Sequence, residues 1–326
     1  MPKIRRVPRW VIGLIIFAVV LGGVAFAYVT QKPEGRYFDS NGVKIYYTDE
    51  GQGEPVILVH GFAATADLNW RLPGIVRRLA RHYRVITFDH RGHGLSEKPH
   101  DPKLYGREMV EDITRLMDHL GIEKAHVVGY SMGGFITLKY LTLHPERLLS
   151  AAVCGAGWSK PEGENLQLLQ SLAESLEHDG GFDVLIQRLE PKGRSVSAVK
   201  MAGINAVMGL FNDKKALAAL IRSFPEFIVT EEDLRKNQVP VISIVGADDP
   251  MREGVDRMQG VLANLTTVYV ADRDHMTTVR SREFFDRLFE FLQQHSQAPA
   301  TPKTPTEQTA DRRALDRSYP SLSAAL

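Results

Sequence analysis

Six stretches of this chain are apolar almost without a break, where a strand with one solvated face would alternate. They are 56–60 (VILVH), 84–89 (RVITFD), 125–130 (AHVVGY), 148–154 (LLSAAVC), 239–245 (VPVISIV) and 267–271 (TVYVA). Strands that read this way are covered on both faces, the usual state of a parallel sheet with helices above and below it. An earlier run, 43–48 (VKIYYT), is also strand-like. Between the runs the hydrophobic period changes to that of a helix. Leu72, Ile75, Val76 and Leu79 share one face over 70–82. Val110, Ile113, Leu116, Met117 and Leu120 do so over 109–120, and a further helix is expected over 132–144. Over 282–294 the apolar face is Phe284, Phe285, Leu288, Phe289 and Leu292. Strands alternating with helices predict the α/β class, with a mainly parallel sheet and right-handed crossovers.

The alternation stops between 158 and 237. That block offers helical stretches at 165–177, 182–189 and 214–224 and no strand of comparable quality. It reads as a helical lid over the carboxyl ends of the strands, where ligands bind in open α/β sheets. Its apolar residues, such as Leu166, Leu169, Met201, Met208 and Phe211, are assigned to lid packing in preference to an acyl-chain tunnel. The folded body is thus expected in two core parts, 36–157 and 238–296, around a lid at 158–237. A chain of 326 residues accommodates one domain of about 250 residues plus such an insertion. The net charge of +1 gives no reason to expect a nucleic acid partner. Cys154 is the single cysteine, so no intrachain disulfide exists.

Both ends differ from the body. Residues 1–9 carry Lys3, Arg5, Arg6 and Arg9 and no acid, and 10–29 hold no charged side chain. Twenty helical residues would span roughly 30 Å, the thickness of a bilayer's hydrocarbon core. The preceding positive charge favours a cytoplasmic N-terminus. The expectation is a transmembrane signal anchor, with the catalytic domain on the opposite, periplasmic or extracellular side. The alternative is a signal peptide cleaved after Ala25-Phe26-Ala27. From 297 onward proline, threonine and alanine dominate without apolar periodicity, and a disordered tail is expected.

The chemistry centres on Gly129-Tyr130-Ser131-Met132-Gly133, a G-x-S-x-G run between a buried strand and a helix. A turn this sharp strains the middle residue and leaves no room for neighbouring β-carbons, hence the glycines. A serine hydroxyl needs a base, and the base an orienting acid. Of eleven histidines, His275 follows the last strand in a polar loop and is the expected base. His82, His119, His144 and His295 lie in or at the ends of helices, where packed or solvated roles are expected. His90 and His93 are possible site-wall residues. The acid is expected after the 239–245 strand, as Asp249 in preference to Asp248. Asp272 and Asp274 stand too close to the histidine and are read as loop-stabilising. The two N–H donors of an oxyanion hole are expected from Met132 and from Phe62, in the His60-Gly61-Phe62 turn where glycine permits close approach.

With these features in this order, the chain resembles the α/β-hydrolase superfamily over essentially 43–294. The matching residues are His60-Gly61-Phe62, the run from Asp89 to Ser96, the elbow at Ser131, Gly246-x-x-Asp249 and His275. The resemblance implies an eight-stranded, mostly parallel sheet, a helical lid after the sixth strand, no cofactor or metal, and water as second substrate. It departs from the family pattern at Asp274, where glycine is frequent. The Asp89–Ser96 loop is expected to support the fold and receives no catalytic role. A serine nucleophile favours acyl transfer, so hydrolysis of a small-molecule carboxylic ester is the first expectation, with lipid-like esters among the candidate substrates. Carbon–carbon hydrolysis of vinylogous diketones and cofactor-free perhydrolysis could use the same three residues. A catalytically silent binding module is the rival from another class.

Overall fold

A computed structural model describes residues 34–158, 163–178, 181–190 and 196–297. Eight strands form one sheet: β1 (Arg36–Ser40), β2 (Val43–Glu50), β3 (Pro55–Val59), β4 (Arg84–Phe88), β5 (Ala125–Tyr130), β6 (Leu148–Cys154), β7 (Val241–Gly246) and β8 (Leu265–Val270). Their order is β1-β2-β4-β3-β5-β6-β7-β8. β2 pairs antiparallel with β1 and β4, and every other pairing is parallel. The α/β class and the mostly parallel eight-stranded sheet agree with the expectation.

The unbroken apolar runs now have their reason. Along β3, Ile57 and Val59 enter one core while Val56 and Leu58 enter the other. Val127 and Val128 of β5 divide in the same way, as do Val153 and Cys154 of β6. Helices α2 (Arg107–His119) and α3 (Met132–Leu143) cover the first face through residues such as Met109, Leu116 and Ile136. The other face is covered by α1 (Ile75–Leu79) and by the C-terminal helix Arg282–Gln294, through Leu79, Phe284 and Leu288.

The helix expected over 70–82 is broken. A π-helical turn, Asp67–Arg71, precedes α1, and Gly74 between them has φ 79°. Pro73 has no N–H to carry the helical hydrogen bonds onward, and the left-handed Gly74 turns the chain. Leu72, expected on the packed face, is consequently 57% exposed.

Between β6 and β7 lie α4 (Gly163–Glu177), α5 (Asp183–Leu189), α6 (Ala198–Phe211), α7 (Lys214–Ser223) and α8 (Glu231–Arg235). These helices fall within the block read above as a lid, and α6 is an element that periodicity did not bring out. The remaining helices are α9 (Arg252–Met258) and the C-terminal one, α10.

The N-terminal basic segment (1–9), the apolar segment (10–29) and the C-terminal tail lie outside the described residues, apart from Gln297. The single-pass membrane placement is corrected. Among the described residues no helix is long and apolar enough to cross a membrane. The longest, α4, has 15 residues, about 22 Å at 1.5 Å per residue. The structure lends no support to a transmembrane anchor or to a catalytic domain on the far side of a membrane.

Candidate active site

The sheet's strand order reverses between β3 and β5, since the chain leaves β3 toward β4 and returns on β3's other side. A crevice opens beyond the carboxyl ends at such a point. β3 runs there into His60-Gly61-Phe62, and β5 into Ser131. Ser131 lies between β5 and α3 with φ 56° and ψ −121°. Positive φ at a residue with a side chain costs on the order of 1–3 kcal/mol. The surroundings hold it there. Its N–H donates to the Cys154 carbonyl at 2.9 Å, and its carbonyl accepts from Gly134 N–H at 2.8 Å. A β-carbon on Gly129 would lie 2.0 Å from the Gly133 carbonyl oxygen, and one on Gly133 would lie 2.1 Å from that of Val59. Both positions therefore exclude any other residue.

His275 meets this serine from 144 positions further along the chain, and Asp249 meets the histidine from 26 positions before it. His275 Nε2 is 2.9 Å from Ser131 Oγ, and Nδ1 is 2.9 Å from Asp249 Oδ2. The carboxylate side chain is fully buried and the imidazole nearly so. Asp249 Oδ1 also accepts from Met251 N–H at 2.8 Å, which fixes its plane. Asp248 is exposed, and its N–H donates to the Arg273 carbonyl at 3.0 Å. Asp274 builds the histidine's loop, with Oδ1 accepting from the N–H groups of Met276 and Thr277 at 3.0 and 2.9 Å. The position where glycine is frequent thus carries an Asx-type turn. With a proton on Nδ1 facing Asp249, Nε2 is left to accept from the serine hydroxyl.

Gly61 packs against the nucleophile, and a β-carbon there would lie 3.2 Å from Ser131 Cβ. Around Phe62 the backbone is tied to side chains on both sides. Gly61 N–H donates to Asn69 Oδ1 at 2.9 Å, and Ala63 N–H donates to His93 Nε2 at 3.1 Å. The Gly61 carbonyl accepts from His60 Nδ1 at 2.8 Å, because His60 Nε2 is occupied as acceptor by His90 N–H. Asp89 holds the next turn, accepting from Ala66 and Leu95 N–H groups at 2.9 Å each. Met132 opens α3, and the first N–H groups of a helix have no acceptor within it. Both Phe62 and Met132 thus stand beside Ser131 with the chain around them anchored.

The histidines of this support are neutral. Burial pulls the imidazole of His60 down to about 4. Burial, joined by repulsion from His60, takes that of His93 to about 3. His90 is held well below its ordinary value for the same reasons. Neither nitrogen of its buried ring has a partner. Of the two expected site-wall residues, His93 backs the Phe62 turn and His90 lies beneath it. Asn69 and Tyr130 were not singled out from the sequence. Their roles depend on hydrogen bonds to backbone groups, which leave no residue pattern. Among the described residues no group of three or more His, Cys, Asp or Glu side chains is arranged to hold a metal ion.

A family model described as the alpha/beta hydrolase fold matches residues 54–198. The chain is 30% identical over 232 residues to a Caulobacter segnis protein named "Putative carbamate hydrolase RutD", covering 67% of this chain and 84% of that one. It is 29% identical over 235 residues to the 2-hydroxy-6-oxo-6-(2'-aminophenyl)hexa-2,4-dienoic acid hydrolase of Metapseudomonas resinovorans, covering 68% and 78%. Among solved structures, a meta-cleavage product hydrolase from Pseudomonas fluorescens superposes with a TM-score of 0.65 at 25% identity, covering 80% of this chain and 98% of that one.

Proposed function

Because the chain belongs to the α/β-hydrolase family and is a hydrolase by that membership, we propose that it cleaves carboxylic esters through a serine-bound acyl intermediate. The observation that carries this reading is the chain of contacts Ser131 Oγ–His275 Nε2 and His275 Nδ1–Asp249 Oδ2, each 2.9 Å. His275 takes the hydroxyl proton as Ser131 Oγ attacks the ester carbonyl. Asp249 stabilises the imidazolium so formed. The N–H groups of Phe62 and Met132 donate to the oxyanion, each donor being worth about 2.7–4 kcal/mol in comparable sites. His275 then protonates the leaving alcohol, and the acyl group stays on Ser131. Water gives a proton to His275 and attacks the acyl carbon, and collapse of the second tetrahedral intermediate returns the proton to Ser131 and frees the acid.

The relatives named above favour a second reading. The Metapseudomonas protein bears the name of a dienoic acid hydrolase, and the Pseudomonas structure that of a meta-cleavage product hydrolase. Their reactions would draw on the same three side chains, with a carbon–carbon bond in place of the ester. Turnover of a p-nitrophenyl ester series, compared with turnover of a 2-hydroxy-6-oxo-dienoate, separates the two. Turnover of the dienoate alone would overturn the ester reading. A fluorophosphonate probe should label Ser131, and absence of the adduct would favour a silent binding module. Ser131→Ala is expected to lower kcat by at least about 10⁴-fold, as loss of a serine nucleophile does elsewhere.

A further inference from the structure

The residue before the nucleophile reaches across the site. Tyr130 ends β5, and its hydroxyl donates to the carbonyl oxygen of His275 at 2.6 Å. The two residues are 145 positions apart in sequence. The phenol ring is buried in the second core, edge-on to Trp70 at 6.4 Å and to Phe284 at 6.0 Å. It also lies 5.5 Å from the imidazole of His275. Gly155 makes room for the ring: with φ 54°, it would bring a β-carbon within 2.9 Å of the phenol carbon. Burial keeps the phenol protonated, well above its ordinary range, and the nearby Asp249 charge adds to this. The phenol thus keeps the proton that it donates to the His275 carbonyl.

The histidine needs such a hold. Its loop crosses the end of β7, where a β-carbon on Gly246 would lie 2.2 Å from the Arg273 carbonyl oxygen. Asp274 organises the loop internally, through Met276, Thr277 and their amides. Asp249 holds the far side of the imidazole ring. None of these contacts connects the loop to the strand that carries Ser131. The hydrogen bond from Tyr130 does, and Tyr130 is joined to Ser131 by one peptide bond.

We propose that Tyr130 is a positioning residue that sets the Ser131–His275 distance by fixing the histidine's backbone to the nucleophile's own strand. The proposal rests on the serine-hydrolase reading for its kinetic consequence. Its geometric part does not depend on that reading. His275 serves as base in acylation and again in deacylation, so a displaced imidazole slows both steps. Substrate affinity, set elsewhere, stays the same.

The experiment compares the full chain with Tyr130→Phe, which keeps the ring and removes the hydroxyl. Pre-steady-state hydrolysis of p-nitrophenyl butyrate gives the acylation and deacylation rates. Both are expected to fall by about tenfold, within the roughly 100-fold that a 1 Å misplacement of a catalytic group costs. KM corrected for the rate-limiting step should stay within about twofold, since uniform binding is untouched. Ile113→Val, a one-methylene truncation in the opposite core, controls for loss of stability and should leave both rates in place. A readout independent of turnover is the proton resonance of His275 Nδ1–H, sharp in the parent and broadened in Tyr130→Phe. Unchanged rates and an unchanged resonance would overturn the proposal. Equal rate losses in Tyr130→Phe and Ile113→Val would also overturn it, by reducing the effect to stability. If the parent fails to take a fluorophosphonate on Ser131 while the resonance still broadens, the nucleophile reading falls and the positioning role stands.

Discussion

Three neutral imidazoles lie under the Phe62 turn. The ring centroids of His60 and His90 are 4.5 Å apart, and those of His60 and His93 are 5.1 Å apart. His60 and His93 each accept a backbone N–H through Nε2, an interaction that protonation abolishes. In the unfolded chain these rings bind a proton near pH 6.5. Folded, they bind it only near 4 for His60 and 3 for His93. Below pH 6.5 the unfolded state thus holds more protons, and stability falls with pH. The loss begins as pH drops through 6.5 and levels off once it passes below the folded values. Urea titrations at pH 7, 5.5 and 4.5 should show a progressive decrease. His60→Gln should flatten part of that slope, and an identical slope in the variant would remove His60 from this account.

At the scale of elements, α6 stands apart. None of its residues is buried, and Val199, Leu210 and Phe211 are 85%, 80% and 74% exposed. Yet its C-terminal cap, Asn212, reaches the Ala63 carbonyl beside the Phe62 turn at 3.5 Å. By contrast α7 is buried along Ala216–Ile221 and joins the main core. Local stability follows buried apolar contact. Amide hydrogens of α6 are therefore expected to exchange by local opening, at least about 100-fold faster than those of β3, β5 and β7. Exchange mass spectrometry on the folded chain checks this. Equal protection in α6 and β5 would contradict it.

Over the whole molecule, one buried ion pair ties the sheet's antiparallel edge to its helical layer. Arg91 makes a fork with Asp112 of α2, Nη2 at 2.6 Å and Nε at 2.9 Å, with both side chains shielded from solvent. Two further guanidinium hydrogens go to the carbonyls of Leu104 and of Ser40 at the end of β1. Such a pair adds little relative to apolar packing, but breaking it strands a charge. Arg91→Met should cost about 3–5 kcal/mol in urea unfolding. Arg91→Met with Asp112→Leu should recover part of that loss, and a double variant no better than the single one would argue against the stranded charge as the cause.

Much of this was legible in the linear chain. Unbroken apolar runs announced strands covered on both faces, because a side chain must go to one core or the other at each step. Gly129 and Gly133 marked the elbow, because no β-carbon fits against the carbonyls of Gly133 and Val59. The order of Ser131, Asp249 and His275 could likewise be read from which residues follow strands. Other features were decided in three dimensions. The helix expected over 70–82 broke because Pro73-Gly74 outweighed its apolar face. The hold of Asn69 and His93 on the Phe62 turn, and of Tyr130 on His275, required groups far apart in sequence to meet. A side chain that bonds to a backbone carbonyl or amide recognises a position and not a residue type, so nothing in the partner's identity foretells it. Local preference and periodicity are written residue by residue; the distance between two loops is set by the packing of every element that lies between them.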